Sequence, residues 1–409
     1  MRSLRRPRAD RHLPAGPDPG AVGAPSPPRR QPLERLFAAA FGLVGLALGA
    51  RPISDNSTFV HLRTGVDIVA GRGIPRFDPY SATAAGTRWV VQSWLPAVAY
   101  GLAQRLDDSG GALLVLNGAL TALLALLVHR LAGAGTPLRT LAAALVAVAV
   151  SGPWWSPRPL LVGLACLALT ILVVEGGRRP WLLLPVAWIW VNSHGSFPLG
   201  ALWLLATAIG AAIDGRRLVT ARFRAGLWFA GGLLLGCVNP LGPRLLLFPL
   251  SLGERRQVFR LITEWRPADF QSGPGITAAV GLALAVVVLS RRRVPWTAVV
   301  PAGVFVLAGL LAQRNLAPAG IVLAPALGAA LTRRDDPSAP AADRPSEPES
   351  SPEADAAGES PAPRATRRDR VLGALVVVAA VALLASAMSH GSLDLRDYPV
   401  AVAREAERQ

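Results

Sequence analysis

The chain has 409 residues and a formal net charge of +16, yet only 17% of its residues are charged and 52% are hydrophobic. Soluble globular chains carry about a quarter charged residues, so this composition excludes an ordinary soluble enzyme and fits a polytopic membrane protein. All 42 basic residues are Arg; beside heavy Ala, Gly and Pro use this reads as a coding bias, and the basicity does not point to nucleic acid. Cys166 and Cys237 both lie in apolar runs, which excludes a disulfide framework or a CxxC-type metal site.

Residues 1–32 are rich in Arg, Pro and Gly, show no hydrophobic periodicity, and read as a disordered tail. Apolar segments then recur over 33–50, 111–129, 139–152, 159–175, 181–193, 197–213, 225–239, 274–290, 295–312, 315–332 and 371–388. A bilayer core is crossed by about 20 helical residues, with shorter spans tolerated between snorkelling Arg, so the expected fold is all-α with about 11 transmembrane helices. Residues 93–106 are less apolar and suit a helix lying in the interface, so 51–107 is expected to form a short helical layer outside the membrane. Residues 333–369, rich in Pro, Ala, Asp and Glu, read as a disordered linker. The expected organisation is a cytoplasmic tail (1–32), a transmembrane domain (33–332, first outer loop 51–110), the cytoplasmic linker (333–369), and a last transmembrane helix with a short outer tail (370–409).

Orientation follows from the Arg distribution. With the N-terminus in the cytoplasm, alternate threading puts Arg130, Arg139, Arg178, Arg179, the Arg cluster of 216–224 and Arg291–Arg293 in short inner loops, opposed only by Glu175 and Asp214. The first apolar run ends in Ala47-Leu48-Gly49-Ala50, small enough for signal-peptide cleavage. The long basic leader and the ten further apolar runs favour a retained span. The expected location is a cytoplasmic (inner) membrane, crossed several times.

The same threading sorts the polar residues. RPISDNSTFVHLRTG (51–65), IPRFDPYS (74–81), WSPRP (155–159), WVNSHG (190–195), NPLGPR (239–244), ITEWRPADF (262–270) and AQRN (312–315) all fall at outer span ends. Polar groups near a membrane interior are costly and mark a pathway or a site, so their convergence on one face predicts an outward-opening cavity. Asp55 is placed either to cap a helix starting near Ser57 or to act as a base. His61 and Arg63 share an amphipathic helix, and Arg63 reads equally as a phosphate or a headgroup contact. Asp78 precedes Pro79 and reads as an ordinary turn. Asn192 and His194 interrupt a helix, which at membrane depth is tolerated beside a cavity. Glu264 is either a second carboxylate at the cavity mouth or a solvated acid beside the interfacial Trp265. Arg158 and Arg314 read as phosphate clamps or as snorkelling side chains. Five scattered His make a metal site an unfavourable reading, and P-loop, GxGxxG, HExxH and GxSxG motifs are absent from the sequence.

At these same residues the chain resembles the GT-C-type integral-membrane glycosyltransferases. The carriers are Asp55, HLRTG (61–65), Ile74-Pro75 after Gly71 and Gly73, DPYS (78–81) and Trp94-Leu95, followed in order by Arg158-Pro159, WVNSHG, NPLG and TEW. The set spans roughly residues 33–332 and is closest to bacterial members of the protein-mannosyltransferase and lipid A glycosyltransferase types. The chain departs from that pattern in having Asn56 after Asp55 and Ser93 before Trp94, where acids are usual.

What the resemblance implies is transfer of a sugar from a polyprenyl-phosphate donor to a glycan, lipid or protein acceptor on the outer face, without a cofactor or metal. Asp55 would be the catalytic base and Glu264 its support. His61, Arg63, Arg158, Asn192, His194 and Arg314 would bind substrate, the Arg and His around the donor phosphate. Two other classes use the same residues: a flippase or transporter for a lipid-linked or anionic solute, and a catalytically degenerate scaffold in cell-envelope assembly. A transporter would need polar lining that continues to the inner face.

Overall fold

The computed structural model describes residues 32–53, 55–215, 221–251, 262–332 and 367–389. The expected tail at 1–32 apart from Pro32, most of the linker at 333–369 and the chain after Ser389 lie outside the described residues. Among the described residues the fold is all-helical, with one isolated antiparallel bridge between Phe77 and Arg88.

Among the described residues fourteen α-helices follow one another. The first four are α1 (Pro32–Gly49), α2 (Asn56–Asp67), α3 (Trp94–Leu106) and α4 (Gly111–Leu131). Then come α5 (Pro137–Ser151), α6 (Leu160–Gly176), α7 (Leu183–Ser193), α8 (Pro198–Ile213), α9 (Ala221–Leu235) and α10 (Arg244–Ser251). The last are α11 (Gly273–Ser290), α12 (Trp296–Leu311), α13 (Leu316–Leu331) and α14 (Arg367–Ser389).

The expected count of about 11 spans is not supported. Among the described residues four helical segments are long and apolar enough to cross a membrane: Gly111–Leu131, Pro137–Trp154, Gly273–Ser290 and Gln313–Leu331. The apolar runs at 159–175, 181–193, 197–213, 225–239 and 295–312 form helices of 17, 11, 16, 15 and 16 residues. At 1.5 Å per residue these reach about 16–26 Å, short of a ~30 Å hydrocarbon core. Proline- and glycine-bearing turns cut them: Pro180 opens a 3₁₀ turn before α7, and Pro198 starts α8 directly after the break at His194.

α13 is the axis of the packing, with α4, α5, α6, α11 and α12 against it. Its small residues permit this. A Cβ on Gly320 would strike the Ala147 carbonyl and Ser151 of α5, so the two backbones meet as small-residue helix pairs do. The pair is also pinned by a polar relay: Ser151 Oγ donates to the Ala317 carbonyl at 2.7 Å, and Trp155 Nε1 donates to Ser151 Oγ at 2.7 Å. That relay fixes the start of the loop that carries Arg158. Gly45 and Gly49 do the same for α1 against Thr121 and Ala125 of α4.

The expected helix at 93–106 is α3, and α2 lies across it through Gly65 and Gly101. α2 ends in a π-helical turn, Ile68–Arg72, where Gly71 takes φ 84°, a left-handed conformation that glycine accepts without strain.

At one end of the bundle Asp214 receives the backbone N–H groups of Trp296 and Thr297 at 3.0 and 3.1 Å, capping the start of α12. The loops that carry the candidate residues are at the other end of α8 and α12.

Candidate functional site

The site starts from the cap of α2. Asp55 has extended backbone (φ −80°, ψ 114°), and its Oδ1 accepts from Ser57 N–H at 2.9 Å and Ser57 Oγ–H at 2.7 Å. Its other oxygen, Oδ2, lies 2.6 Å from Nε of Arg158. Of the two roles open in the sequence, the cap is observed, and the ion pair stands beside it.

Arg158 sits between Pro157 and Pro159 in the short connection from α5 to α6. Thr58 Oγ1 of α2 donates to the Pro157 carbonyl at 2.7 Å, and Ser156 Oγ lies 2.6 Å from Arg158 Nε. With its backbone held by prolines and by α2, the guanidinium spans two acids: Nε faces Asp55, and Nη2 is 2.5 Å from Glu264 Oε1. The one Nε proton is donated to Ser156 Oγ, and the Asp55 and Glu264 contacts stand as close ion pairs.

Glu264 stands on a 3₁₀ turn, Thr263–Trp265, clipped to the α12–α13 connection. Gln313 Nε2 donates to the Thr263 carbonyl at 2.6 Å, and Gln313 N–H donates to the Arg266 carbonyl at 2.9 Å. The next residue along, Arg314, lays its guanidinium over the Trp265 ring, 4.3 Å from the centroid. Four chain segments, far apart in sequence, thus present Asp55, Arg158, Glu264 and Arg314 together.

Two histidines join them. His61 lies on α2 beyond Asp55, and His194 ends α7 with an extended backbone. Part of each residue reaches solvent, while protein atoms surround both rings. Burial holds the His61 pKa down at about 4, with Asp55 opposing the shift and Arg158 adding to it. Burial, then the charges of Arg314, His61 and Arg158, hold that of His194 at about 3. Both imidazoles are therefore neutral at pH 7. His194 Nδ1 accepts the Ser196 N–H at 3.2 Å, with Ser196 Oγ 2.8 Å away. The hydrogen-bond network thereby assigns the His194 proton to Nε2.

Two other expected site residues are placed elsewhere. Arg63 is 66% exposed and pairs with Asp67 at 3.5 Å. Asp67 also binds Arg72 at 2.8 Å and accepts from Tyr80 Oη at 2.8 Å, so this second cluster ties the loop after α2 to its helix. Asn192 is fully buried. Its Oδ1 accepts from Trp94 Nε1 at 2.9 Å, and its Nδ2 donates to the Trp188 and Gly236 carbonyls at 2.9 and 3.4 Å. That amide joins α3, α7 and the end of α9. Asp78 Oδ1 accepts the Tyr80 and Ser81 N–H groups at 2.8 and 3.0 Å, a turn as expected.

Sequence reasoning named Ser57 as a cap former but did not single out Thr58, Ser156, Ser196 or Gln313, each of which orients a candidate site group or the loop that carries one. Their signal was weak, being small polar residues beside prolines or caps. Trp265 was read as an interfacial anchor, and it carries the Arg314 guanidinium.

The arrangement can bind an anion at its arginines, donate from a neutral imidazole, and accept a proton at a carboxylate. Compared with protein-family models, curated proteins and solved structures, the chain matches none.

Proposed function

We propose that the chain is a multi-pass bacterial membrane glycosyltransferase, which moves a sugar from a polyprenyl-phosphate donor to an acceptor on the outer face of the cytoplasmic membrane. The observation that carries the reading is the chain of contacts Asp55–Arg158–Glu264, with Arg314, His61 and His194 beside it at one end of an apolar bundle. The acceptor would be a glycan, lipid or protein hydroxyl, and the product would serve the cell envelope.

The chemistry asks little of the protein beyond position and charge. The acceptor O–H loses its proton to a carboxylate, its oxygen bonds the anomeric carbon, and the sugar–phosphate C–O bond breaks with both electrons leaving on the lipid phosphate. Asp55 Oδ1 is filled by Ser57, and Oδ2 keeps one acceptor position beside Arg158 for that proton. Arg314 and the His194 Nε2–H are donors for the charge that develops on the leaving phosphate.

The main core is apolar, with Leu164, Ile171, Ala187 and Phe305 among its buried side chains, and the bundle also encloses Asn117, Thr121, Thr170 and Thr207. A rival architectural reading draws on the mutual pairing of Asp55, Arg158 and Glu264, which would also clamp three loops together.

Asp55→Asn tests the catalytic reading with the helix cap retained. Asn caps helices as well as Asp does, so α2 keeps its start while the charge is lost. In a host lacking the native gene, the variant should abolish the envelope glycan product seen by mass spectrometry with the wild-type chain. Undiminished product from a normally expressed variant overturns the reading.

A further inference from the structure

We propose that Arg158 and Arg314 form a phosphate-oxyanion subsite that the Glu264 side chain fills in this structure, and that an incoming phosphate displaces the Glu264 carboxylate from Arg158. The inference rests on reading the site as one that handles a phosphate-linked donor, and it adds how that phosphate gains entry.

The two carboxylates on Arg158 are held very differently. Asp55 accepts two bonds from Ser57, begins a helix, and its side chain is 13% exposed. Glu264 rides on a single 3₁₀ turn, its side chain is 32% exposed, and Arg158 is the one ion-pair partner it has among the described residues. Glu264 is the exchangeable member. A carboxylate offers a guanidinium the same pair of anionic oxygens that a phosphate does, so each fits the same donor.

Arg314 supplies the second half. Its guanidinium lies flat on Trp265, and no carboxylate comes within 4.0 Å of it among the described residues. Stacking covers one face and leaves the N–H edge for a ligand. The neutral His194 adds an uncharged donor beside it. Asp55, Glu264, Arg158 and Arg314 sum to zero charge, so an arriving anion is favoured when it takes the place of an anion already paired. On exchange Arg158 keeps an anionic partner, and the displaced Glu264 carboxylate, already partly exposed, turns to solvent, so no charge is left buried and unpaired.

The test uses the purified full-length chain in detergent, with farnesyl phosphate and, separately, inorganic phosphate as probes in titration calorimetry. If Glu264 occupies Arg158 by about 10:1, its removal tightens apparent binding about tenfold, so Glu264→Gln should bind farnesyl phosphate about tenfold more tightly than wild type. Asp55→Asn removes the same charge at the same distance from Arg158, but from the anchored side, and should tighten binding far less. Adding acetate should weaken binding to Glu264→Ala, by restoring a carboxylate competitor, and leave wild type unaffected. Arg314→Gln should lose binding, with thermal melts showing that each variant is folded.

A gain with farnesyl phosphate alone supports a lipid-linked ligand, and an equal gain with inorganic phosphate supports a free one. Equal tightening by Asp55→Asn and Glu264→Gln reduces the effect to a general field and overturns the exchange. So does a Glu264→Gln variant that binds no better than wild type, although the donor reading then stands. If wild type and Glu264→Gln both bind neither probe, the donor reading falls with the subsite.

Discussion

Asp55 performs a structural and an electrostatic task with one carboxylate, one oxygen for the α2 cap and the other for Arg158. Substitutions should therefore separate. Asp55→Asn keeps the cap, and Asp55→Ala should cost about 1 kcal/mol more in stability, because Ala leaves the first N–H groups of α2 unsatisfied. Paired chemical or thermal melts of the two variants check this. The histidines give a pH dependence whose sign is fixed. Their folded pKa values, about 4 for His61 and about 3 for His194, lie below the ordinary 6.5. As pH falls below about 6.5, the unfolded chain takes up protons that the folded chain refuses, so stability is intact above that value and declines toward pH 4. Melting temperature in detergent should fall between pH 7.5 and 5, and the double variant His61→Gln, His194→Gln should flatten that decline.

Among the elements, the closest approaches are made by glycine. At the α2–α3 crossing, Gly65 faces the Ala97 carbonyl and Gly101 faces the Gly65 backbone. Gly65→Val should be destabilising by about 1–3 kcal/mol and should move Asp55, since overpacking is relieved only by backbone shift. A fall in both melting temperature and product yield is the expected outcome. Asp214 is the comparable feature at the opposite end. Asp214→Ala strips the acceptor from two N–H groups at the start of α12 and should cost about 1–3 kcal/mol, with little effect on product per folded molecule. Helix existence was legible in the apolar runs, and α3 and the start of α2 were placed within a residue or two. Helix length was not. Composition continues across Pro180 and His194, whereas the backbone turns there, so runs long enough to read as spans end as helices of 11–17 residues.

Across the whole molecule, charge is the organising quantity. Arg139, Arg178, Arg179 and Arg291–Arg293 stand at the ends of α5, α6 and α11 remote from Arg158 and Arg314. The proposed orientation puts that end in the cytoplasm, facing anionic lipid. Single cysteines at Ser81 and Arg292, in a chain with Cys166 and Cys237 replaced, test this in intact cells. A membrane-impermeant maleimide should label Ser81→Cys and spare Arg292→Cys. The reverse pattern would place the candidate site on the cytoplasmic face.

The amino-acid order points to an all-helical chain with span-like apolar segments, because long apolar runs and scarce charge leave little else to build from, and four of the described helical segments are long and apolar enough to cross a membrane. It also marks Asp55, Arg158, His194, Glu264 and Arg314 as residues expensive to hold where they are. Which of the marked residues belong together depends on contacts between segments as distant as α2 and the α12–α13 connection, and no local pattern encodes these. Folding brings Arg158 between Asp55 and Glu264, seats Arg314 on Trp265, sends Arg63 to Asp67, and encloses the Asn192 amide in the packing. The reason is physical: a charged or amide group takes whichever partner the packed backbone brings within about 3 Å, and that partner is set by helix crossings fixed at glycines and by prolines in the turns.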